Sequence, residues 1–352
     1  MPNPAHQEDT RTPRRPDAGP RTVRMPLQEL ESLMSAVCAA AGVPNGECDR
    51  VVQHYLTGEL RGVPSHGVAK FAFESRFFPE RQAPPEVIRE HGVFAVIDAH
   101  REIGPLSAEF AVSVAVERAR RFGAGLVGMI NTQRYGILAD WSEAIARHGL
   151  IGIATNTSRA DAVAAGGRTP VVGVNPLSFA LPTLDDPLAA DMGTTLAPMG
   201  VLWEHRRSGN PLPPNCFVDA EGQPTTDPNQ AVSSIVFGDH RGFALSLLLQ
   251  ALSGSLFGFP MGGDVDGTYA TGYAFIALNP EFADPDHQTA AANTRLVERL
   301  RAASAADGAT WRLPGEQARL LSARARADGA IDISEQTLAR LRTRAGGDFT
   351  SD

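Results

Sequence analysis

The stretch "RRFGAGLVGMIN" (residues 120–131) decides the fold. Its centre, Gly123 to Gly128, spells GxGxxG, the glycine pattern of a dinucleotide-binding turn. Such a turn works when a strand runs into the glycines and a helix leaves them, so that the helix N-terminus meets the pyrophosphate. Here the order is inverted. "VAVERARRF" (114–122) comes first with helical spacing, and "LVGMI" (126–130) follows as an apolar strand. Gly123 then reads as a helix C-cap, and no helix N-terminus faces a phosphate. A second glycine-rich stretch, "VAAGGRTPVVGVNP" (163–176), lacks the lysine of a phosphate-binding loop.

Outward from this point, the pattern predicts a mixed α/β core. "FAVIDA" (94–99) reads as a strand and "PLSAEFAVSVAVERARRFG" (105–123) as a helix. "DWSEAIARHG" (140–149) is a helix. "LIGIATNTS" (150–158), "NPLSFALPT" (175–183), "LAADMGT" (188–194) and "TGYAFIALNP" (271–280) are strands. Residues 209–230 form a Pro- and Gly-rich loop. The apolar run "GFALSLLLQALSGSLFGF" (242–259) contains Ser and Gln and falls short of the roughly 20 residues of a membrane span, so it reads as a buried helix. Before the core, two amphipathic helices are expected at 25–44 and 46–62. The expected division is a disordered leader (1–24), a helical N-terminal part (25–85), an α/β core (86–285), C-terminal helices packing back on the N-terminal part (286–345) and a tail (346–352).

The 352 residues carry a net charge of −8, which argues against a nucleic-acid partner. Lys70 is the single lysine. The three cysteines form no CxxC pair, so neither a disulfide framework nor a zinc knuckle is indicated, and the expected home is the cytoplasm. The N-terminal 24 residues, rich in Pro, Arg and Asp, do not read as a secretory signal. No histidine cluster has metal-ligand spacing.

Four polar turns stand out against this apolar background. In "RGVPSHGVAK" (61–70), Ser65 suits a helix cap, and His66 would sit in the first helical turn with its pKa lowered. Lys70 follows four residues later on the same face. A cation for a carboxylate beside a histidine for a carbonyl or hydroxyl suits a 2-oxo or 2-hydroxy acid. In "NTQRYG" (131–136), Arg134 stands in a strand-to-helix turn. "DMGTT" (191–195) sets Asp191 at the end of an apolar strand. "GDHRG" (238–242) precedes an apolar helix, where backbone N–H groups and Arg241 suit a phosphate. Each turn alone has a structural explanation.

Taken in order, RGVPSHGVAK, NTQRYG, ATNTS, GVNPLSFALP, DMGTT, FGDHRGFALSLLLQALSG and LPGE resemble the malate/L-lactate dehydrogenase family of NAD(P)-dependent oxidoreductases, from about residue 26 to 345. The family includes sulfolactate and ureidoglycolate dehydrogenases and the Δ1-piperideine-2-carboxylate reductases. The resemblance implies a non-Rossmann α/β fold, a homodimer with the active site near the subunit interface, and a small carboxylate substrate. It implies substrate-site roles for Ser65, His66 and Lys70, the last where an arginine is usual. It implies cofactor contacts from Ser158, Gly193, Thr194, Thr195, Arg241, Pro314, Gly315 and Glu316, and a catalytic role for Asp191. The choice between NADH and NADPH stays open, with Arg159 and Arg168 near the inferred cofactor segment.

The largest departure is at Arg134. Many family members have a histidine there that moves the proton of the 2-oxo/2-hydroxy centre. Arginine stays protonated near neutral pH and cannot take that part. Three readings follow: a cyclic-imine reductase with His66, Tyr135 or water as proton donor and Arg134 on the substrate; a dehydrogenase of an unusual 2-hydroxy acid; or a non-enzymatic relative binding cofactor or a partner.

Overall fold

In the computed structural model, residues 21–164, 166–303 and 312–351 are described; the first 20 residues of the expected leader lie outside them. The chain begins with β1 (Thr22–Pro26), α1 (Leu27–Ala40), α2 (Asn45–Leu60), a 3-10 turn at Pro64–His66 and α3 (Val68–Glu74). The core follows with β2 (Glu86–His91), β3 (Phe94–Asp98), α4 (Gly104–Phe122), β4 (Ala124–Ile130), α5 (Ala139–Ala146), β5 (Ile151–Asn156) and β6 (Ala162–Val163). Then come β7 (Leu177–Leu181), β8 (Leu188–Met192), α6 (Met199–Ser208), β9 (Phe217–Val218), β10 (Ser233–Ile235), α7 (His240–Ser253) and β11 (Tyr273–Leu278). The C-terminal elements are α8 (Thr289–Ala302), α9 (Glu316–Asp328), β12 (Ala330–Ser334) and α10 (Glu335–Ala345).

The main sheet has seven strands in the order β2-β3-β4-β11-β5-β7-β8. Only the β3–β4 pair is parallel; the others are antiparallel. This is not the parallel sheet of a Rossmann domain. The glycines of GAGLVG have packing duties instead. Gly123 ends α4 at φ +85°. A Cβ on Gly125 would lie 2.1 Å from the Ala115 carbonyl oxygen, and one on Gly128 would lie 2.3 Å from the Phe257 ring. The motif therefore lets α4, with buried Ala108, Ala111, Ala115 and Ala119, lie directly on the sheet.

A second core joins the two ends of the chain. Leu30, Met34, Tyr55, Leu56 and Phe71 pack with Ile333, Leu338 and Leu341. β1 pairs antiparallel with β12 across Thr22–Pro26 and Ala330–Ser334, so three residues assigned to the leader belong to a strand. β12 also interrupts the C-terminal region expected to be helical. α8 packs elsewhere: Asn293 donates to the Pro182 carbonyl, and Thr294 Oγ1 accepts from Leu184 N–H. The 242–259 run is not fully buried. Ser246, Leu249 and Ser253 of α7 face inward, but Leu247 and Leu248 are 49% and 54% exposed. The helix is apolar on both faces, and the sheet covers only one. Among the described residues no helix is long and apolar enough to cross a membrane.

Two glycines in α2 separate helix propensity from packing. Gly46 has open space around it, whereas a Cβ on Gly58 would meet the His66 carbonyl oxygen at 2.7 Å. Alanine favours a helix by up to about 1 kcal/mol over glycine; crowding into packed backbone costs about 1–3 kcal/mol. Urea denaturation should therefore show Gly46→Ala slightly stabilised and Gly58→Ala destabilised by on the order of 1–2 kcal/mol.

Candidate active site

α2 holds two of the sequence-predicted turns together. On one side, Gly58 admits the Pro64–His66 turn, and a Cβ on Gly67 would strike Glu59. Glu59 Oε2 accepts the Val68 N–H at 2.8 Å, opening α3. On the other side, the Tyr55 hydroxyl donates to the Arg134 carbonyl at 3.1 Å, and the Gly136 N–H donates to His54 Nε2 at 2.9 Å. A Cβ on Gly136 would meet both His54 Nε2 (2.6 Å) and the His66 carbonyl oxygen (3.0 Å). The SHG and NTQRYG turns thus touch through backbone.

His54 sits in a buried polar chain. Its Nε2 accepts, so its proton is on Nδ1, which lies 2.9 Å from Asp140 Oδ2. Arg61 bridges Asp140 (3.2 Å) and Glu143 (2.8 Å), and the imidazole stacks on Trp141 with centroids 4.7 Å apart. Within NTQRYG, Thr132 and Gln133 turn inward. Thr132 Oγ1 lies 2.5 Å from Ser107 Oγ, and Gln133 Nε2 donates to the carbonyls of Phe77 and Arg101. Tyr135 is 6% exposed, its ring tilted 51° against that of Tyr273, with its hydroxyl 3.5 Å from Asn156 Oδ1. Arg134 is the exposed residue of the turn.

Ser65 does not cap α3; its Oγ lies 3.0 Å from His66 Nδ1, and His66 falls in the 3-10 turn rather than in the helix. Lys70 Nζ is 2.8 Å from Glu74 Oε1. Asp191, one residue before the end of β8, accepts the Ala139 N–H at 3.0 Å, tying that strand to the start of α5 just after the Arg134 turn. His66 and Asp191 keep exposed surface, yet each is set in a protein-lined recess that strips much of its hydration. Desolvation, then the Lys70 charge and His54, hold the His66 pKa down to about 4. Desolvation, partly offset by the Ala139 and Leu138 N–H groups, pushes the Asp191 carboxyl up to about 6.

A second cluster adjoins this one through Asn156 and the end of β8. Ser158 Oγ accepts the Asn175 N–H at 3.3 Å, and Asn175 Nδ2 donates to Ser246 Oγ at 2.8 Å, locking the loop after β5 to α7. Thr194 donates to the Val174 carbonyl, and its own carbonyl accepts the Phe237 N–H. Gly193 and Thr195 flank it. The 238–242 turn has two positive-φ residues, Gly238 and Asp239, and α7 opens without a side-chain cap beside exposed Arg241. An uncapped helix start and an exposed guanidinium with no partner among the described residues fit a phosphate. Pro314, Gly315 and Glu316 stand apart along β8: a Cβ on Gly315 would lie 3.0 Å from the Ala189 carbonyl oxygen, and Glu316 Oε2 accepts the Leu313 N–H. Arg159 pairs with Asp161 at 3.1 Å. Among the described residues no His, Cys, Asp and Glu group forms a metal site.

The sequence profile described as malate/L-lactate dehydrogenase matches residues 25–342. The chain belongs to the malate/L-lactate dehydrogenase family. Family relatives include L-sulfolactate dehydrogenase of Methanothermobacter thermautotrophicus, 29% identical over 91% of this chain and 95% of that protein. Delta(1)-pyrroline-2-carboxylate reductase 1 of Burkholderia ambifaria is 31% identical over 86% and 92%. A dehydrogenase structure from Sinorhizobium meliloti superposes with a TM-score of 0.86, at 28% identity, covering 92% of this chain and 98% of that one. The family and these relatives are oxidoreductases.

Sequence reasoning passed over His54, Tyr55 and Glu74. His54 and Tyr55 lie on the apolar face of α2 and read as core. Glu74 had a legible signal, its i,i+4 spacing from Lys70.

His66 gives a direct test of the electrostatics. Its folded pKa lies below the ordinary value of 6.5, so the unfolded chain takes up the proton first. Stability from this residue is present above that value and is lost as pH falls toward 4. In an NMR titration, His66 should protonate near pH 4 and Lys70→Met should move its midpoint upward. A midpoint at or above 6.5 would contradict the arrangement.

Proposed function

We propose that this protein is a nicotinamide-dependent reductase of a cyclic imino acid, adding hydride to the carbon of a C=N bond next to a carboxylate. Family membership supports the NAD(P)-dependent chemistry, with NADH or NADPH left open. Ser158, Gly193, Thr194, Thr195 and Arg241 would hold the cofactor, with Arg241 and the α7 N-terminus at phosphate and the Pro314-Gly315-Glu316 turn behind β8. Bound there in reduced form, the nicotinamide supplies the hydride.

The observation that carries the choice of substrate is the absence of a strong acid in the two turns near neutral pH. Arg134 does not release its proton. Tyr135 is buried, and burial raises its hydroxyl pKa well above the ordinary value. His66 is neutral above about pH 4. A 2-oxo acid needs a proton delivered to oxygen as hydride arrives. A protonated cyclic iminium brings its own: C=NH⁺ accepts hydride and becomes the secondary amine. Neutral His66, donating Nδ1–H to Ser65 Oγ, offers the Nε2 lone pair to the iminium N–H and orients the ring. Arg134 supplies positive charge for the carboxylate, and Asp191 ties β8 to the start of α5 beside that turn.

A second reading, oxidation of a 2-hydroxy acid, is favoured by the same neutral His66, whose lone pair can take the hydroxyl proton. The exposed apolar face of α7, with Leu247 and Leu248, supports the homodimer that the family resemblance implies. Covering it would bring a second copy beside the cofactor cluster.

Purified protein mixed with NADH or NADPH should consume the cofactor with Δ1-pyrroline- or Δ1-piperideine-2-carboxylate. The rate should exceed that with pyruvate or oxaloacetate by about a hundredfold, the scale of a missing general acid. Equal or faster reduction of 2-oxo acids would move the assignment to the second reading. Cofactor binding without turnover of any substrate would mark a non-catalytic relative.

A further inference from the structure

We propose that Arg134 is the anchor of the substrate carboxylate, and that Glu74 neutralises Lys70 so that the site selects a substrate with one negative charge. This deepens the reading of the site as a carboxylate-binding reductase centre and rests on it.

The two cations of the site are in different states. Lys70 Nζ is 2.8 Å from Glu74 Oε1, one turn along α3, with side-chain exposures of 18% and 1%. The other oxygen, Glu74 Oε2, is buried without a hydrogen-bond partner among the described residues. Drawing Lys70 toward a substrate would take from a buried carboxylate the cation it is paired with, a strongly opposed change. Burial, and after it the Glu74 charge among other causes, raises the hydroxyl pKa values of Tyr55, Tyr269 and Tyr273.

Arg134 is the reverse case. Its guanidinium is exposed, and no carboxylate or carbonyl pairs with it among the described residues. Its backbone is fixed on both sides, by the Tyr55 hydroxyl on its carbonyl and by His54 on the Gly136 N–H. Both neighbours, Gln133 and Tyr135, are buried. A guanidinium fork carried on fixed backbone, with no protein partner among the described residues, is available for bidentate binding of a carboxylate. The arginine that replaces the family's proton carrier thereby takes the part the resemblance gives to the position of Lys70.

The charges of the site then set the substrate class. Lys70 and Glu74 cancel. Arg61 and Arg147 are matched by Asp140 and Glu143. Arg134 remains for one anionic group. A second one would find Lys70 already paired with Glu74 and would meet the acidic Asp191, at a cost that rejects it.

Oxamate and oxalate, close in shape and one charge apart, test this by calorimetry on the full chain, with NADH or NADPH present. Wild type should bind oxamate more tightly. Arg134→Gln should lose oxamate binding by about tenfold or more, the cost of a lost bidentate pair. Glu74→Gln should improve oxalate binding by about tenfold and change oxamate by less than about threefold, because Lys70 is released. The double variant Lys70→Met/Glu74→Leu replaces the ion pair by apolar residues, a change buried cores accept. It should keep oxamate affinity within about threefold. A tenfold loss of oxamate in that variant, or a Glu74→Gln effect equal on both anions, overturns the assignment. Because binding is read without turnover, such a result leaves the imine-reductase reading standing if wild type reduces imino acids. Binding of neither anion by wild type overturns both.

Discussion

The His66 carbonyl lies in contact with two glycines, Gly58 of α2 and Gly136 of the Arg134 turn, and the candidate site depends on that close approach. With a side chain at either position the two turns would be forced apart. With hydrogen there, the SHG turn settles between a helix and a strand-to-helix turn that are far from each other in sequence. Close packing of this kind is intolerant of even one added methyl group. The site is therefore built first by backbone contact and only then by the chemistry of its side chains.

Electrostatics follows from that packing. Bringing Lys70, His54 and His66 into one recess keeps the His66 imidazole neutral. Burial where β8 meets α5 raises the Asp191 carboxyl toward neutrality, against the pull of the Ala139 N–H it accepts. The Asp140–Arg61–Glu143 chain holds the His54 ring by its Nδ1, which leaves Nε2 to grip the Arg134 turn. A buried polar chain with each member paired is stiff, and it fixes the backbone from which the Arg134 side chain faces outward.

Much of the architecture was legible because its elements carry clear periods. The inverted order around GAGLVG was enough to reject a Rossmann turn, and the antiparallel sheet agrees. Strand order was not legible, since it depends on pairings such as β11 between β4 and β5 that join residues over a hundred positions apart. β1 and β12 are short, and β1 is flanked by Pro and Arg, so neither has enough alternation to announce a strand. α6 sits between glycines and a proline-rich loop that mask its period. In the site, the exposed turns stood out as polar breaks in apolar sequence. Their supports did not, because His54, Tyr55 and Glu74 occupy helix positions that look like core or surface until the fold shows what lies beside them. Tyr135 is the converse: read as a candidate proton donor at the substrate, it has its ring in the sheet core.

The central claim is that SHG and NTQRYG together form one carboxylate site beside the cofactor cluster. A crystal structure with reduced cofactor and pyrrole-2-carboxylate, a planar unreactive mimic of a cyclic imino acid, tests it most directly. The account predicts the ring nitrogen facing His66 Nε2, the carboxylate on the Arg134 guanidinium, and the nicotinamide between that ring and the Ser158–Thr194 loops. A ligand carboxylate held elsewhere, with Arg134 turned away to solvent, would contradict it.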